Sequence, residues 1–290
     1  MEIIKPSIEI WRQGDAIIEH IARCARVCYA SDKTTNNVEM VKRLTDNKHL
    51  SMLRHATYYF IIPYRDYSID GLEKFIENPY IDWDIEDFKN IYIVTNGQFI
   101  YEHPNFYNRY IKYEVSESVF VESDFARNLM RFTFKIITQI STSRELNRVS
   151  PNNIAEQSTR YVNFNKKGGA ICQPWWLKEE RVNYINSKLT VNLTIEEQNE
   201  YVKEIHYLKE CSRSFATYKF LINECGMLPE DARGVLPLDT ATVCIYTYSV
   251  KEWKHIIDLR YYGKTGKPHP NAKIIAGMVK KELNELGYNI

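Results

Sequence analysis

Seven consecutive residues, Ala56-Thr57-Tyr58-Tyr59-Phe60-Ile61-Ile62, are small, β-branched, aromatic or aliphatic, and Pro63 stops them. A run with almost no polar side to offer water reads as a buried strand, paired laterally and covered on both faces. Arg131 to Ile140 forms a second such run, and Ile91 to Gly97 a third that enters a turn. Helical spacing surrounds them. In Asp15 to Tyr29, Ile17, Ile18, Ile21, Ala22, Ala25 and Cys28 recur near the 3.6-residue period. Further helices are expected over Asn37–Asp46, from Ser143, from Thr194 to about Glu224, from Pro229, over Val250–Leu259 and over Asn271–Leu286. Thr194-Ile195-Glu196-Glu197 has the form of a helix start, and Gly226 that of a C-cap.

These elements predict an α+β fold: one helix-rich domain over residues 1–290 with a small mixed or antiparallel sheet. The stretch from Tyr64 to about Asp124 fits least well and reads as an insertion on that domain. Within it, Gly71 to Glu77 suggests a short helix stopped by Asn78-Pro79, while Tyr101 to Phe120 shows no clear period. Ser150-Pro151-Asn152-Asn153 reads as a turn. No internal repeat or low-complexity linker divides the chain.

Charge excludes some functions. There are 38 Lys plus Arg against 37 Asp plus Glu, a formal net charge of +1, so no overall field draws the chain to nucleic acid or to an anionic membrane. An anion site must be assembled locally. No stretch approaches a membrane span and no leader is recognisable, so a reducing, cytoplasmic setting is expected. Cys24 and Cys28 are one helical turn apart, but no cluster of Cys or His completes a metal site, and they read as buried thiols. Neither a Gly-x-Gly-x-x-Gly nor a Gly-Lys-Ser/Thr loop occurs, which argues against Rossmann and P-loop nucleotide folds.

Candidate chemistry therefore rests on a few charged side chains beside apolar segments: His55, Arg148, Arg160, Arg233, His255 and Arg260. A guanidinium's planar fork suits phosphate and carboxylate. Ser158 and Arg160 could reach one phosphate, with Glu156 orienting the arginine or accepting a ribose hydroxyl; an ordinary surface ion pair is the alternative. Arg260 could stabilise negative charge developing on a ring; a pair with Asp258 is the alternative.

Two segments carry a resemblance. Glu156-Gln157-Ser158-Thr159-Arg160-Tyr161 and Asp231-Ala232-Arg233-Gly234-Val235-Leu236-Pro237 closely resemble the nucleotide-binding motifs of flavin-dependent thymidylate synthases. Blocks at Ala25–Tyr29, His49–Phe60, Phe132–Tyr161, Pro229–Pro237, Glu252–Arg260 and Pro268-His269-Pro270 follow in the same order. The resemblance implies that FAD relays a one-carbon unit from methylenetetrahydrofolate to carbon 5 of dUMP and supplies the hydride, that NADPH regenerates the flavin, and that the enzyme is a homotetramer with FAD between subunits. It implies a dUMP site of Glu145, Arg148, Glu156, Ser158, Arg160 and Arg233, with Arg260 favouring ionisation of the uracil. It places FAD at His55, Thr57, Arg148, Glu156, Lys251 and His255. The family's Arg-His-Arg signature is degenerate: Arg148-Val149-Ser150 stands in its place, without the histidine and the second arginine, while Ser158 keeps its distance. A related enzyme modifying carbon 5 differently, for example by hydroxymethylation, or a nucleotide-binding homologue without flavin chemistry are the alternatives.

Overall fold

The computed structural model describes residues 1–29, 36–66, 75, 77–86, 88–148, 153–164, 169–188 and 194–290. Strands β1 (Glu2–Ile4), β2 (Ser7–Trp11), β3 (Thr57–Pro63), β4 (Asp82–Glu86), β5 (Asn90–Asn96), β6 (Glu114–Val115), β7 (Arg131–Gln139), β8 (Ile154–Glu156), β9 (Ala170–Cys172) and β10 (Ala241–Ser249) form three sheets. Two are four-stranded and antiparallel, in the orders β2-β7-β10-β8 and β4-β5-β3-β6; β1 and β9 make a parallel pair. The expected helix-rich α+β fold with a small antiparallel sheet is present, its strands divided between two four-stranded sheets and a parallel pair. The reason lies in 64–124, which supplies β5 and β6 as partners for β3 and β4 as a partner for β5. The segment also contains the helices Gly97–Glu102 and Pro104–Tyr110, the second inside the stretch without a clear period and started by a proline whose missing N–H costs nothing at that position. The helix expected over 71–77 lies outside the described residues except at Phe75 and Glu77, as does the turn over 150–153 except at Asn153.

β7 and β10 pair along their whole length, from Arg131 opposite Ser249 to Gln139 opposite Ala241. Side chains alternate across this ribbon. Phe134, Ile136, Tyr246 and Tyr248 face a core that includes Trp253, Ile256, Ile275, Val279 and Leu283 from the C-terminal helices, and it extends to Tyr59, Tyr92 and Val94 of the other sheet. On the opposite side Ile245 meets Cys24 of the helix Ile17–Tyr29, and Cys24 is indeed buried. The two faces of β10 therefore serve two different neighbourhoods, and both matter below.

Two helices depart from expectation. The segment from Thr194 breaks at Tyr201 into Ile195–Glu200, opened by a Thr194/Glu197 capping box, and Val202–Asn223. Tyr201 leaves the helical track and stacks on Tyr184, centroids 4.9 Å apart. The helix begun by the Ser249/Glu252 capping box ends at Ile257, and Asp258–Tyr262 continues as one wider turn of π geometry that Gly263 closes at φ 72°. A side chain at Gly263 would meet the Gly266 carbonyl at 2.8 Å, so only glycine suits this turn. The turn carries Arg260. Among the described residues no helix is long and apolar enough to cross a membrane.

Candidate active site

β7 runs directly into the helix Ile140–Leu146. Beside that junction an open cleft of about 600 Å³ is lined by Ile140, Arg144, Glu156, Gln157, Ser158, Thr159, Arg233, Gly234, Leu236, Pro237 and Leu238. The two motif segments, some seventy positions apart in sequence, meet here. A groove of about 670 Å³ between β1 and the helices Glu179–Lys188 and Val202–Asn223 is slightly larger, but none of the site residues named from the sequence lines it. Chemistry, not size, selects the smaller one.

Glu156 is the most constrained group in the cleft. Ser143 Oγ donates to its Oε1 at 2.8 Å and Thr242 Oγ1 at 3.3 Å, and Asn147 Nδ2 reaches Oε2 at 3.4 Å. Tyr246 in turn donates its hydroxyl to Asn147 Oδ1 at 2.6 Å, which orients the amide so that its NH₂ faces the carboxylate. Its carboxylate is thus held by donors and not by a cation, leaving acceptor capacity for a ligand hydroxyl. Ser143, Asn147, Thr242 and Tyr246 were not named from the sequence. Only the four-residue spacing of Ser143 and Asn147, which puts both on one helical face, hints at them.

Ser158 acts locally as well as toward the cleft. Its Oγ accepts from the backbone N–H of Arg160 at 3.1 Å and of Tyr161 at 3.4 Å, closing a tight turn. Arg233, exposed on its short helical turn, donates Nη1 to Thr159 Oγ1 at 3.1 Å. Arg144 is exposed on the cleft wall. Two guanidiniums beside two hydroxyls make a site for a phosphate-sized anion. Arg160 is not among the lining residues. It turns instead to Glu230, with which it forms an ion pair at the surface. The expected partnership of Glu156 with Arg160 is replaced by this pair because the turn at Ser158 directs the arginine toward the helix Pro229–Ala232.

Arg260 projects from the π turn, half-buried, and donates Nε to the main-chain carbonyl of Glu145 at 3.0 Å. It does not pair with Asp258, which Lys264 takes at 2.6 Å. Its Nε is thus anchored on the helix that carries Arg144, although Arg260 is not among the residues lining the cleft. Glu145 is half-buried and Arg148 exposed at the end of the same helix; Val149 and Ser150 lie outside the described residues.

Apart from Glu156, which lies in the cleft, the positions linked to flavin divide into two sets. Lys251 and His255, one turn apart on the helix Val250–Ile257, are exposed, as is Arg148. Exposed basic side chains of this kind suit a diphosphate. His55 and Thr57 are enclosed. Thr57 Oγ1 accepts from the buried Arg131 at 3.3 Å. His55 Nδ1 lies 2.8 Å from Thr247 Oγ1, while its Nε2 is buried without a partner among the described residues. An orphaned ring nitrogen on a histidine packed against Thr247 is what a ligand acceptor would satisfy, so these residues fit a flavin.

No curated protein matches the chain in sequence. Among solved structures, a UMP/dUMP methylase, PolB from Streptomyces cacaoi, superposes in its complex with 5-Br dUMP at a TM-score of 0.45, with 16% identity over 99% of this chain and 93% of that one. Its complex with 5-Br UMP gives 0.44, with 15% identity over 100% and 94%. A protein-family match covers residues 108–285, which hold both motif segments, the cleft and Arg260. The chain belongs to the thymidylate synthase complementing protein family.

Proposed function

We propose that the protein is a flavin-dependent thymidylate synthase, methylating dUMP at carbon 5 with methylenetetrahydrofolate as one-carbon donor and NADPH as reductant. The observation that carries this reading is the convergence of residues 156–159 and 233–238, with Arg144, around one cleft. Arg144 and Arg233 hold the nucleotide phosphate, helped by the Ser158 and Thr159 hydroxyls. Glu156 accepts a ribose hydroxyl. Arg260 stabilises negative charge on the uracil as it develops. FAD, when bound, supplies the hydride that completes the methyl group; His55, Thr57, Arg148, Lys251 and His255 are the residues that would hold it, in a homotetramer with the cofactor between subunits. The test is turnover of dUMP with NADPH and methylenetetrahydrofolate, with the product identified by mass. A gain of one methylene confirms methylation. A hydroxymethyl product would move the protein to a sister chemistry, and a colourless protein that binds dUMP without turnover would remove the flavin.

Arg160 is a phosphate ligand held in reserve on Glu230. Glu230→Gln should release it and tighten dUMP binding by a few fold, while Arg160→Ala should weaken dUMP binding about tenfold and FAD binding less. Titration of both variants decides the matter: if neither changes dUMP affinity, Arg160 belongs to the surface pair alone.

Arg260→Lys keeps the charge but loses the fork whose Nε anchors on Glu145. Because an interaction that strengthens toward the transition state appears in kcat, kcat should fall at least about tenfold, roughly 1.4 kcal/mol of lost stabilisation, with dUMP affinity little changed. Near-normal turnover in the folded, flavin-loaded variant would assign Arg260 to structure.

A further inference from the structure

His20 and His55 are both buried, at 2% and 0% exposure, and one line of hydrogen bonds joins them across β7 and β10. Arg23 Nη2 lies 2.7 Å from His20 Nδ1. A guanidinium only donates, so Nδ1 accepts and the proton of the neutral ring sits on Nε2. From there the path is His20 Nε2 to Thr133 Oγ1 at 3.2 Å, Thr133 Oγ1 to Thr247 Oγ1 at 2.7 Å, and Thr247 Oγ1 to His55 Nδ1 at 2.8 Å.

The direction of this path follows from proton counting. Since His20 Nε2 carries a proton, it can donate to Thr133 or to the main-chain carbonyl of His55 but cannot accept from Thr133. Thr133 then donates to Thr247, and Thr247 to His55 Nδ1, so that each hydroxyl accepts once and donates once. If the second half ran backwards, Thr133 would accept from both sides and its own proton would lack a partner, an added cost in a buried site. The forward direction leaves His55 Nε2–H idle, and that nitrogen is one of the buried atoms without a partner among the described residues. Arg131 beside it cannot help: its guanidinium donates to the carbonyls of Arg54, Ala56, Thr95 and Thr247 and to the Thr57 hydroxyl. Burial, with His20, Arg131 and Arg54 adding to it, keeps the His55 ring neutral, its pKa pushed down to about 3.

We propose that His20, Thr133 and Thr247 are positioning residues that lock His55 in its Nε2–H tautomer, reserving one buried N–H for an acceptor atom on the ring system of a bound flavin. The ligand in this inference rests on the flavin reading above; the tautomer does not. Locking a tautomer through hydroxyls lets a buried histidine present a donor without carrying charge.

Imidazole ¹⁵N NMR of the protein, with and without FAD, tests both halves. At neutral pH His55 should show the Nε2–H signature, and its Nε2 resonance should move when FAD is added. Thr247→Val removes the donor to Nδ1; His55 should then populate both tautomers and FAD affinity should fall about tenfold, with Thr247→Ser restoring both readouts. Thr133→Val, one step further back, should show the same effects in weaker form and serves if the first variant does not fold. A wild-type His55 protonated at Nδ1, or a Thr247→Val protein with an unchanged tautomer, overturns the relay. A shifted tautomer with unchanged FAD affinity overturns the link to the ligand. Correct tautomer in a protein that binds no FAD would instead overturn the flavin reading itself.

Discussion

Between pH 7 and pH 5 the protein is expected to lose about 4 kcal/mol of stability, through two histidines that are neutral in the fold and basic when exposed. His20 is pushed down to about 4 by burial, then by Arg23 and Arg131; His55 is pushed down to about 3 by burial, then by His20, Arg131 and Arg54. Unfolded, each would titrate near 6.5. Above that pH both states hold neutral rings and nothing is lost. Below it the unfolded chain takes up two protons that the folded chain refuses, so unfolding is favoured by up to about 2.7 kcal/mol for each further pH unit until the folded values are reached. Asp82 and Glu252 face the same Arg131 and have carboxyls raised by burial; their uptake of protons in the folded state offsets part of the loss at the acid end. Urea midpoints measured from pH 7 to pH 4.5 would show the slope, and His20→Gln should roughly halve it. A flat profile between pH 6.5 and pH 5 would mean that these rings are not buried and neutral as described.

Arg233→Ala should weaken dUMP binding tenfold to a hundredfold, the range expected for a charge-assisted contact worth roughly 1.5–3 kcal/mol. The arginine lines the cleft and needs only the Thr159 hydroxyl to hold it, so its removal breaks no buried pair and the fold should survive. The contrast that identifies the contact is deoxyuridine, which has no phosphate. Its affinity, measured beside that of dUMP, should not change in the variant. Equal losses for both ligands would place Arg233 at the base or sugar, and no loss for either would leave the phosphate to Arg144 and Arg160.

The elements were legible in the sequence wherever a segment carried its own signal. Asn37–Asp46 is a helix with the bounds its period implies, capped by Asn36. The runs at 56–62 and 131–140 became β3 and β7 within a residue at each end, because apolar β-branched runs leave the backbone few alternatives. The motif residues Glu156, Ser158 and Arg233 were recognisable too, since their order along the chain is itself the signal. What the chain alone could not reveal was partnership. Arg160 belongs to Glu230 and Asp258 to Lys264, and neither choice follows from spacing within one helix. Arg131, first residue of an apolar run, is satisfied by four carbonyls and a hydroxyl drawn from β3, β5, β10 and the turn before β3. Glu156 is oriented by residues on two other elements, and the tautomer of His55 is decided by a path that starts on the first helix and crosses two strands. Propensity and periodicity are local properties, so they travel with the sequence. Hydrogen-bond direction inside a core depends on which donors the packing of distant segments brings within 3 Å of one another, and only the tertiary structure decides that.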